Sequence, residues 1–413
     1  MSLTMANVVL GAGPIGLAIA YELKKRGEEV LVLSSARNTG MAGGVNAGWI
    51  SPILAGPVPS PGALKNSLIW MMKRDSPLRI SPSLDPRHIS FMLQLLSYSN
   101  AKDYENGQHA LATLGMGTLE LFDSYQAQGI NFELHKKGLL MAFKSTKKLE
   151  SELSEYAELD KYGNAKVVPL DGNQLQKLEP ALISGLAGAI HCPDQYFCDP
   201  LSYLAGMRSK LQELRVEICD SHEKIELSKI KGKVTVRIGS EVIGNTNVIV
   251  AAGVESRNLL ASINVKVPIR FGKGYCFDFP QVRALSNSIY FTEAKVAVTP
   301  TDTYLRFAGT MEFGGNPLKI NRHRAEGILK SGMSYLSESI NVAPELKSGL
   351  RPITPDGLPV LGRLASERNL YVASGHSMLG LTLSPVTGEI IADLVTTGRT
   401  ARNITAFDPQ RFN

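Results

Sequence analysis

Three glycines, Gly11, Gly13 and Gly16, stand at G-x-G-x-x-G spacing between an apolar run, VVL, and a helix-forming run, AIAYELKKRG. The first glycine permits a tight turn, the second lets backbone approach a pyrophosphate, and the third packs helix against strand. The helix start, with Pro14 and Ile15 in its first turn, then directs free N–H groups at the phosphates. A second strand, EEVLVL, ends at Ser34-Ser35, where an Asp or Glu normally holds the adenosine ribose. A serine makes one hydrogen bond where a carboxylate accepts two, and it leaves no negative charge to oppose a 2′-phosphate. With Arg37 nearby, this stretch alone keeps NADP open as the nucleotide.

Two further strings carry chemistry. NVIVAAGVES, residues 247–256, is a buried strand ending in small residues, among them Ala251 and Gly253, that allow close approach to a ligand; tight packing alone is the rival explanation. Near the C-terminus, SGLRPITPDGLPVLGR is followed by NLYVASGHSMLGLTLSPVTGEIIADL. Strand, Gly-His-Ser turn and helix suggest a hydrolase nucleophile elbow, but the glycine spacing is one residue too long for G-x-S-x-G. That reaction also needs a histidine after the serine, and His376 is the last one in the chain. What remains is a glycine-lined loop leading to a helix that begins near Ser384-Pro385.

The elements that must position these groups form a βαβ start, several helices, a block of mixed strands, and a final strand-turn-helix like the opening. The stretch from Asn38 to Gly62 is rich in Gly and Pro, and a loop of that length in a compact domain is usually functional. Apolar residues at three-to-four spacing predict one short amphipathic helix in ALKNSLIWMMKR and two more between residues 90 and 129. Asp199-Pro200 reads as an N-cap with proline at the first helical position.

The chain has 413 residues, enough for two or three domains with a large core, and is 44% hydrophobic and 20% charged. A net charge of +6, scattered without interleaved aromatics, argues against nucleic acid. Cys192, Cys198, Cys219 and Cys276 form no C-x-x-C pair and have no histidines at metal spacing, so reduced thiols and no metal are expected. No apolar run approaches the ~18 residues of a membrane span, and no signal peptide is expected because the first apolar stretch is the strand of the glycine motif.

In GAGPIG, NAGWISP, LIWMMKR, LEPAL, KGYCF, GLRPITPDGLPVLG and GHSMLGLT, all in the same order, the chain resembles the D-amino acid oxidase/glycine oxidase family of FAD-dependent oxidoreductases. Within that family the bacterial D-amino acid dehydrogenases are most similar. The resemblance implies an α/β fold: a discontinuous Rossmann-like FAD-binding domain (1–85, 165–265, 345–413) and a substrate domain (86–164, 266–344) on a large antiparallel or mixed sheet. It implies non-covalent FAD in place of NADP, with Ser34 and Ser35 at the departure from the usual acid. Asn46, Ala47, Gly48 and Ile50 match a loop passing the flavin. Arg351, beside Gly349, matches the arginine that binds the substrate carboxylate. Gly375, His376, Met378, Leu379, Gly380, Leu381 and Thr382 match the turn by the flavin pyrimidine edge, with His376 also a catalytic candidate.

The implied reaction is oxidative deamination of an amino acid, hydride passing from Cα to flavin N5 to give an imine and then a 2-oxo acid. Ala294 stands where relatives carry an aromatic, with Tyr290 and Tyr304 as substitutes, so a secondary amine such as proline, hydroxyproline or an N-methyl amino acid is the alternative donor. An NADP-dependent reductase and a non-catalytic flavoprotein subunit are further alternatives. The electron acceptor (quinone, oxygen or a protein) and the oligomeric state are left open. A cytoplasmic location is implied, with peripheral contact on the cytoplasmic face of the membrane as the variant.

Overall fold

The computed structural model describes residues 7–35, 42–61, 78–159, 166–244 and 246–412. The opening folds as its glycines require: strand Asn7–Leu10, helix Pro14–Lys25, strand Val30–Ser35. These strands lie inside a six-stranded sheet ordered Glu217–Ser221, Val30–Ser35, Asn7–Leu10, Asn247–Val250, Leu370–Ser374, Val360–Arg363. The first five run parallel, and Val360–Arg363 closes one edge antiparallel. Such a sheet must be covered on both faces, which is why its strands are nearly unbroken Val, Ile and Leu. One face takes helices Pro14–Lys25 and Ser384–Thr397. They meet so closely that a Cβ on Gly388 would lie 2.8 Å from the Ala18 carbonyl oxygen. The other face takes a small antiparallel sheet, whose Leu227, Val234 and Val236 pack on Val8, Leu10, Leu31 and Leu33.

A second sheet of nine strands stands beside the first. One end is antiparallel: Glu345–Ile353 forms the edge and pairs with Arg270–Pro280, which pairs in turn with Tyr304–Phe313. Further along, Ser288–Phe291 pairs parallel with Leu139–Phe143, so the sheet is mixed. Val168–Asp171, Gly188–Cys192 and Leu78–Ile80 also bond into it. These strands and Glu345–Ile353 fall in chain segments that the sequence assigns to the cofactor side, so the sheet draws strands from both sets of segments. The register between Arg270–Pro280 and Tyr304–Phe313 slips between Lys273 and Tyr275, where Gly274 stands opposite Thr310 and Met311, which have no partner in this strand pair.

The region expected to hold two helices holds three, Pro86–Ser97, Ala101–Gly115 and Thr118–Ala127. The extra break falls at Gly117, whose φ of +78° ends one helix and starts the next. Asp199 caps Pro200–Glu213 as expected, accepting from the Leu201 and Ser202 N–H groups. The helix expected in ALKNSLIWMMKR lies outside the described residues, as does Arg37. All four cysteines are free thiols, three of them buried. Among the described residues, no helix is long and apolar enough to cross a membrane.

Candidate active site

The first cavity opens at the C-terminal ends of strands Asn7–Leu10 and Asn247–Val250, where the parallel order reverses direction and α/β sheets place their ligands. It is lined by backbone and small residues: Gly11, Gly13, Pro14 and Ile15 from the first turn, Ala251 and Gly253 from the second, and Gly380 and Leu381 from the C-terminal turn. Gly11 has φ +120°, and a Cβ there would sit 2.4 Å from the Ala251 carbonyl oxygen. A Cβ on Gly16 would lie 1.8 Å from the Gly11 carbonyl oxygen, so Gly16 serves the packing of helix on turn and does not line the cavity.

Gly13 differs: a Cβ there would meet nothing within 4 Å, and no side chain caps the helix that follows. An open wall beside uncapped N–H groups is what the pyrophosphate of a dinucleotide requires, so the residues fit FAD at this turn. The ribose end is less well marked. Ser34 is buried at the strand end, in register with Asp220, and neither Ser34 nor Ser35 lines the cavity.

The second cavity, about 470 Å³, lies between the two sheets. It shares Ala42, Asn46 and Ser377 with the first, so the two are neighbours with a common wall. Ala47, Gly349, Met378, Leu379 and Thr382 line it, with Arg351 on its floor. Arg351 comes from Glu345–Ile353, opposite Gly272, and its Nη1 donates to the Thr310 carbonyl at 3.0 Å. A Cβ on Gly274 would lie 2.1 Å from that Nη1, so glycine there makes room for the guanidinium. No carboxylate pairs with Arg351 among the described residues. Burial without a counter-charge pushes its pKa down to about 10, still cationic at neutral pH.

His376 is placed differently. Its ring lies 3.1 Å from the Thr387 hydroxyl, beneath the dinucleotide cavity, and burial pushes its pKa down to about 3. It is a neutral ring bonded to the helix behind it, so the geometry gives it a packing role and a place beside the cofactor rather than a proton to move. Gly375, with φ +82°, turns the chain into it. Ile50 sits in the core strand Trp49–Ile50, paired with Tyr196, and lines neither cavity. Gly48 also serves packing, since a Cβ there would lie 2.3 Å from the Cys198 carbonyl oxygen.

Several residues that hold the site carry no local sequence signature. Arg306 is fully buried, its Nε and Nη2 bonded to Asp278 at 2.7 and 2.8 Å, and its Nη1 donates to the Gly44 and Asn46 carbonyls. Burial raises the Asp278 pKa, but the bonds from Arg306 and Lys347 outweigh it and hold the carboxyl below the usual range. Thr299 donates to the Ala47 carbonyl at 2.6 Å. The loop between the cavities is therefore pinned from the substrate sheet, while the Asn46 Oδ1 accepts from the Gly48 N–H at 2.8 Å.

The far wall of the second cavity carries Trp49, Tyr104, Glu152, Tyr156, Tyr290 and Lys295. Of the two tyrosines considered from sequence, Tyr290 lines the cavity, edge-on to Trp49, whereas Tyr304 turns away and bonds Asp199. Ala294 is not part of the wall.

Comparison with known proteins agrees with this geometry. The chain is 30% identical over 405 residues to the D-amino acid dehydrogenase of Neisseria meningitidis serogroup A, covering 95% of this chain and 96% of that one. Its fold is similar to iminodiacetate oxidase from Chelativorans sp. BNC1 (TM-score 0.76, 19% identity, 97% and 98% of the two chains). Glycine oxidase from Geobacillus kaustophilus is also similar (TM-score 0.73, 20% identity, 98% of each chain). The family model described as FAD dependent oxidoreductase matches residues 7–394. With a dinucleotide turn lining one cavity and, in its neighbour, a guanidinium that no described carboxylate pairs, the chain belongs to the DAO family of FAD dependent oxidoreductases, and FAD, bound non-covalently, is its cofactor.

Proposed function

We propose that the protein oxidises an α-amino acid at its Cα–N bond, as a D-amino acid dehydrogenase does, releasing an imine that water converts to a 2-oxo acid. The observation that carries this reading is Arg351, a guanidinium with one backbone partner and, among the described residues, no acid beside it, lining the cavity next to the cofactor cleft. Such a group recognises a carboxylate with two parallel hydrogen bonds. FAD, when bound, would supply a two-electron acceptor, held by the glycine turn at Gly11 and Gly13.

The chain's own residues then orient and desolvate. Arg351 holds the carboxylate, and the aromatic wall excludes water and strengthens that contact. Burial holds the Tyr104, Tyr156 and Tyr290 hydroxyls above their ordinary range, so they act as hydrogen-bonding groups and not as bases. On this reading the amine enters neutral, and catalysis rests on position and electrostatics. Likeness to the Neisseria protein favours a D-amino acid.

The test is anaerobic addition of D-, L- and cyclic amino acids to the yellow holoenzyme. Bleaching of the flavin band by one or more D-amino acids is expected. Bleaching by cyclic or N-methyl amino acids alone assigns the secondary-amine reaction instead, and no bleaching by any of them overturns the proposal.

A further inference from the structure

Helix Thr146–Leu159 lays Leu149, Leu153 and Tyr156 against the core under the second cavity. Glu152 precedes Tyr156 by one turn and therefore shares its stripe of the helix, and both line that cavity. Lys147, Lys148, Glu150 and Glu155 of the same helix are exposed, whereas Glu152 is half-buried. It is the only acid on the cavity wall among the described residues.

The Glu152 carboxylate sits among the rings of that wall. Burial raises the pKa of Tyr104, Tyr156 and Tyr290, and the Glu152 charge raises each of them further. Among the described residues no hydrogen bond or ion pair reaches the carboxylate, and its oxygens are not sealed from solvent. Burial raises its own pKa, and the Lys295 charge offsets only part of this. The Lys295 Nζ lies 5.6 Å from the centre of the Tyr290 ring and forms no ion pair with Glu152. A carboxylate half withdrawn from water, without a cation in contact, is costly unless a ligand brings one. Aromatic faces beside it attract the same cation.

We infer that Glu152 is a specificity-determining residue, pairing with a cationic group at the end of the substrate's side chain, so that the preferred donors are amino acids with basic side chains. The inference rests on the amino acid reading given above and names the donor class. Glu152 does not act on the Arg351 charge, so the two groups stand well apart in the cavity. One molecule can then be held at both ends, its carboxylate by Arg351 and its side-chain ammonium by Glu152. An apolar side chain would leave the Glu152 carboxylate desolvated and unpaired, which is how a charged site rejects the wrong substrate. The rival role, a solvated partner for Lys295, gives no such discrimination.

The test compares wild type, Glu152→Gln and Arg351→Met as holoenzymes. Lysine and norleucine, in the configuration that bleaches the flavin, differ by the side-chain ammonium, and kcat/KM is measured for each. Their counterparts without the α-amine, 6-aminohexanoate and hexanoate, are titrated by the perturbation of flavin absorbance, a reading that needs no turnover. Wild type is expected to favour lysine. Glu152→Gln is expected to weaken lysine kcat/KM and 6-aminohexanoate binding about 30-fold each, the loss of a charge-assisted hydrogen bond. Norleucine and hexanoate are expected to stay within about 3-fold of wild type, which also shows that the variant is folded.

An equal change for both members of each pair, or no change for either, overturns the inference. So does a wild-type preference for norleucine, or for glutamate, which would give the wall's deciding charge to Lys295. Arg351→Met is expected to weaken 6-aminohexanoate and hexanoate alike. If it binds both as wild type does, the carboxylate reading falls and the two-ended hold falls with it. If it weakens both while Glu152→Gln weakens neither, the Arg351 reading stands and only the inference about Glu152 is lost.

Discussion

The two cavities meet at three residues yet are built from different materials. The dinucleotide cavity is made of backbone: glycines, alanines and a helix start without a side-chain cap. The second cavity adds long side chains, with Arg351 on its floor and Trp49, Tyr104, Glu152, Tyr156 and Tyr290 on its wall. At Gly11 the backbone site has no room for an added atom, whereas a side-chain site can be retuned one group at a time. That difference suits a fold in which the cofactor stays the same and the donor changes.

The comparison can be broken most forcefully on the backbone side. Gly16→Ala places a Cβ 1.8 Å from the Gly11 carbonyl oxygen, where neither neighbour can move without disturbing the strand. A loss of about 3 kcal/mol is expected, with purified protein low in flavin. Denaturant unfolding and the ratio of flavin to protein absorbance check it. A wild-type yield of yellow protein would show that the turn has slack.

On the side-chain side, Arg351→Met keeps much of the aliphatic stem and removes the cation. KM is expected to rise on the order of 100-fold with flavin content unchanged, as for loss of one partner from a desolvated charge pair. Steady-state kinetics beside flavin quantitation reads both. Loss of flavin along with substrate affinity would mean that the cavities are less separable than their materials suggest.

The smallest effect concerns His376, which lies under the dinucleotide cavity but carries a titratable ring. Burial lowers its folded pKa to about 3 from an ordinary 6.5. Between those values the unfolded chain binds the proton more readily than the folded one. The stability contributed by the neutral ring is therefore full above pH 6.5 and is lost as pH falls toward 3. This amounts to about 2 kcal/mol between pH 7 and pH 5. His376→Gln is expected to flatten that part of the melting temperature against pH. An unchanged slope would place the acid sensitivity elsewhere.

The glycine turn was readable in the chain because a backbone requirement leaves a mark at fixed short spacing: Gly11, Gly13 and Gly16 could each be given a task before any coordinate was known. The helix after Asp199 was readable for the same reason, since cap and proline are adjacent. Arg351 was reached through resemblance, because an arginine next to a proline has no local pattern. Arg306, Asp278 and Thr299 were missed altogether. Their partners lie far along the chain: 28 residues separate Arg306 from Asp278, 252 separate Thr299 from Ala47, and 260 separate Arg306 from Asn46. Ile50 was misread through its neighbours, since the loop that skirts the cavity becomes a core strand one residue earlier, at Trp49. Glu152 gave no sign, because a glutamate on a charged surface helix is ordinary until its neighbours in space are known.

The buried Arg306 has a consequence for how this protein can be divided. Its hands close on carbonyls of the early loop while its own strand belongs to the later sheet. The loop receives its final shape only after more than two hundred further residues have been synthesised and have folded around that arginine. A fragment carrying the glycine turn alone would have the phosphate-binding start but not the clasp that completes the pocket, so cofactor capture belongs to the finished chain.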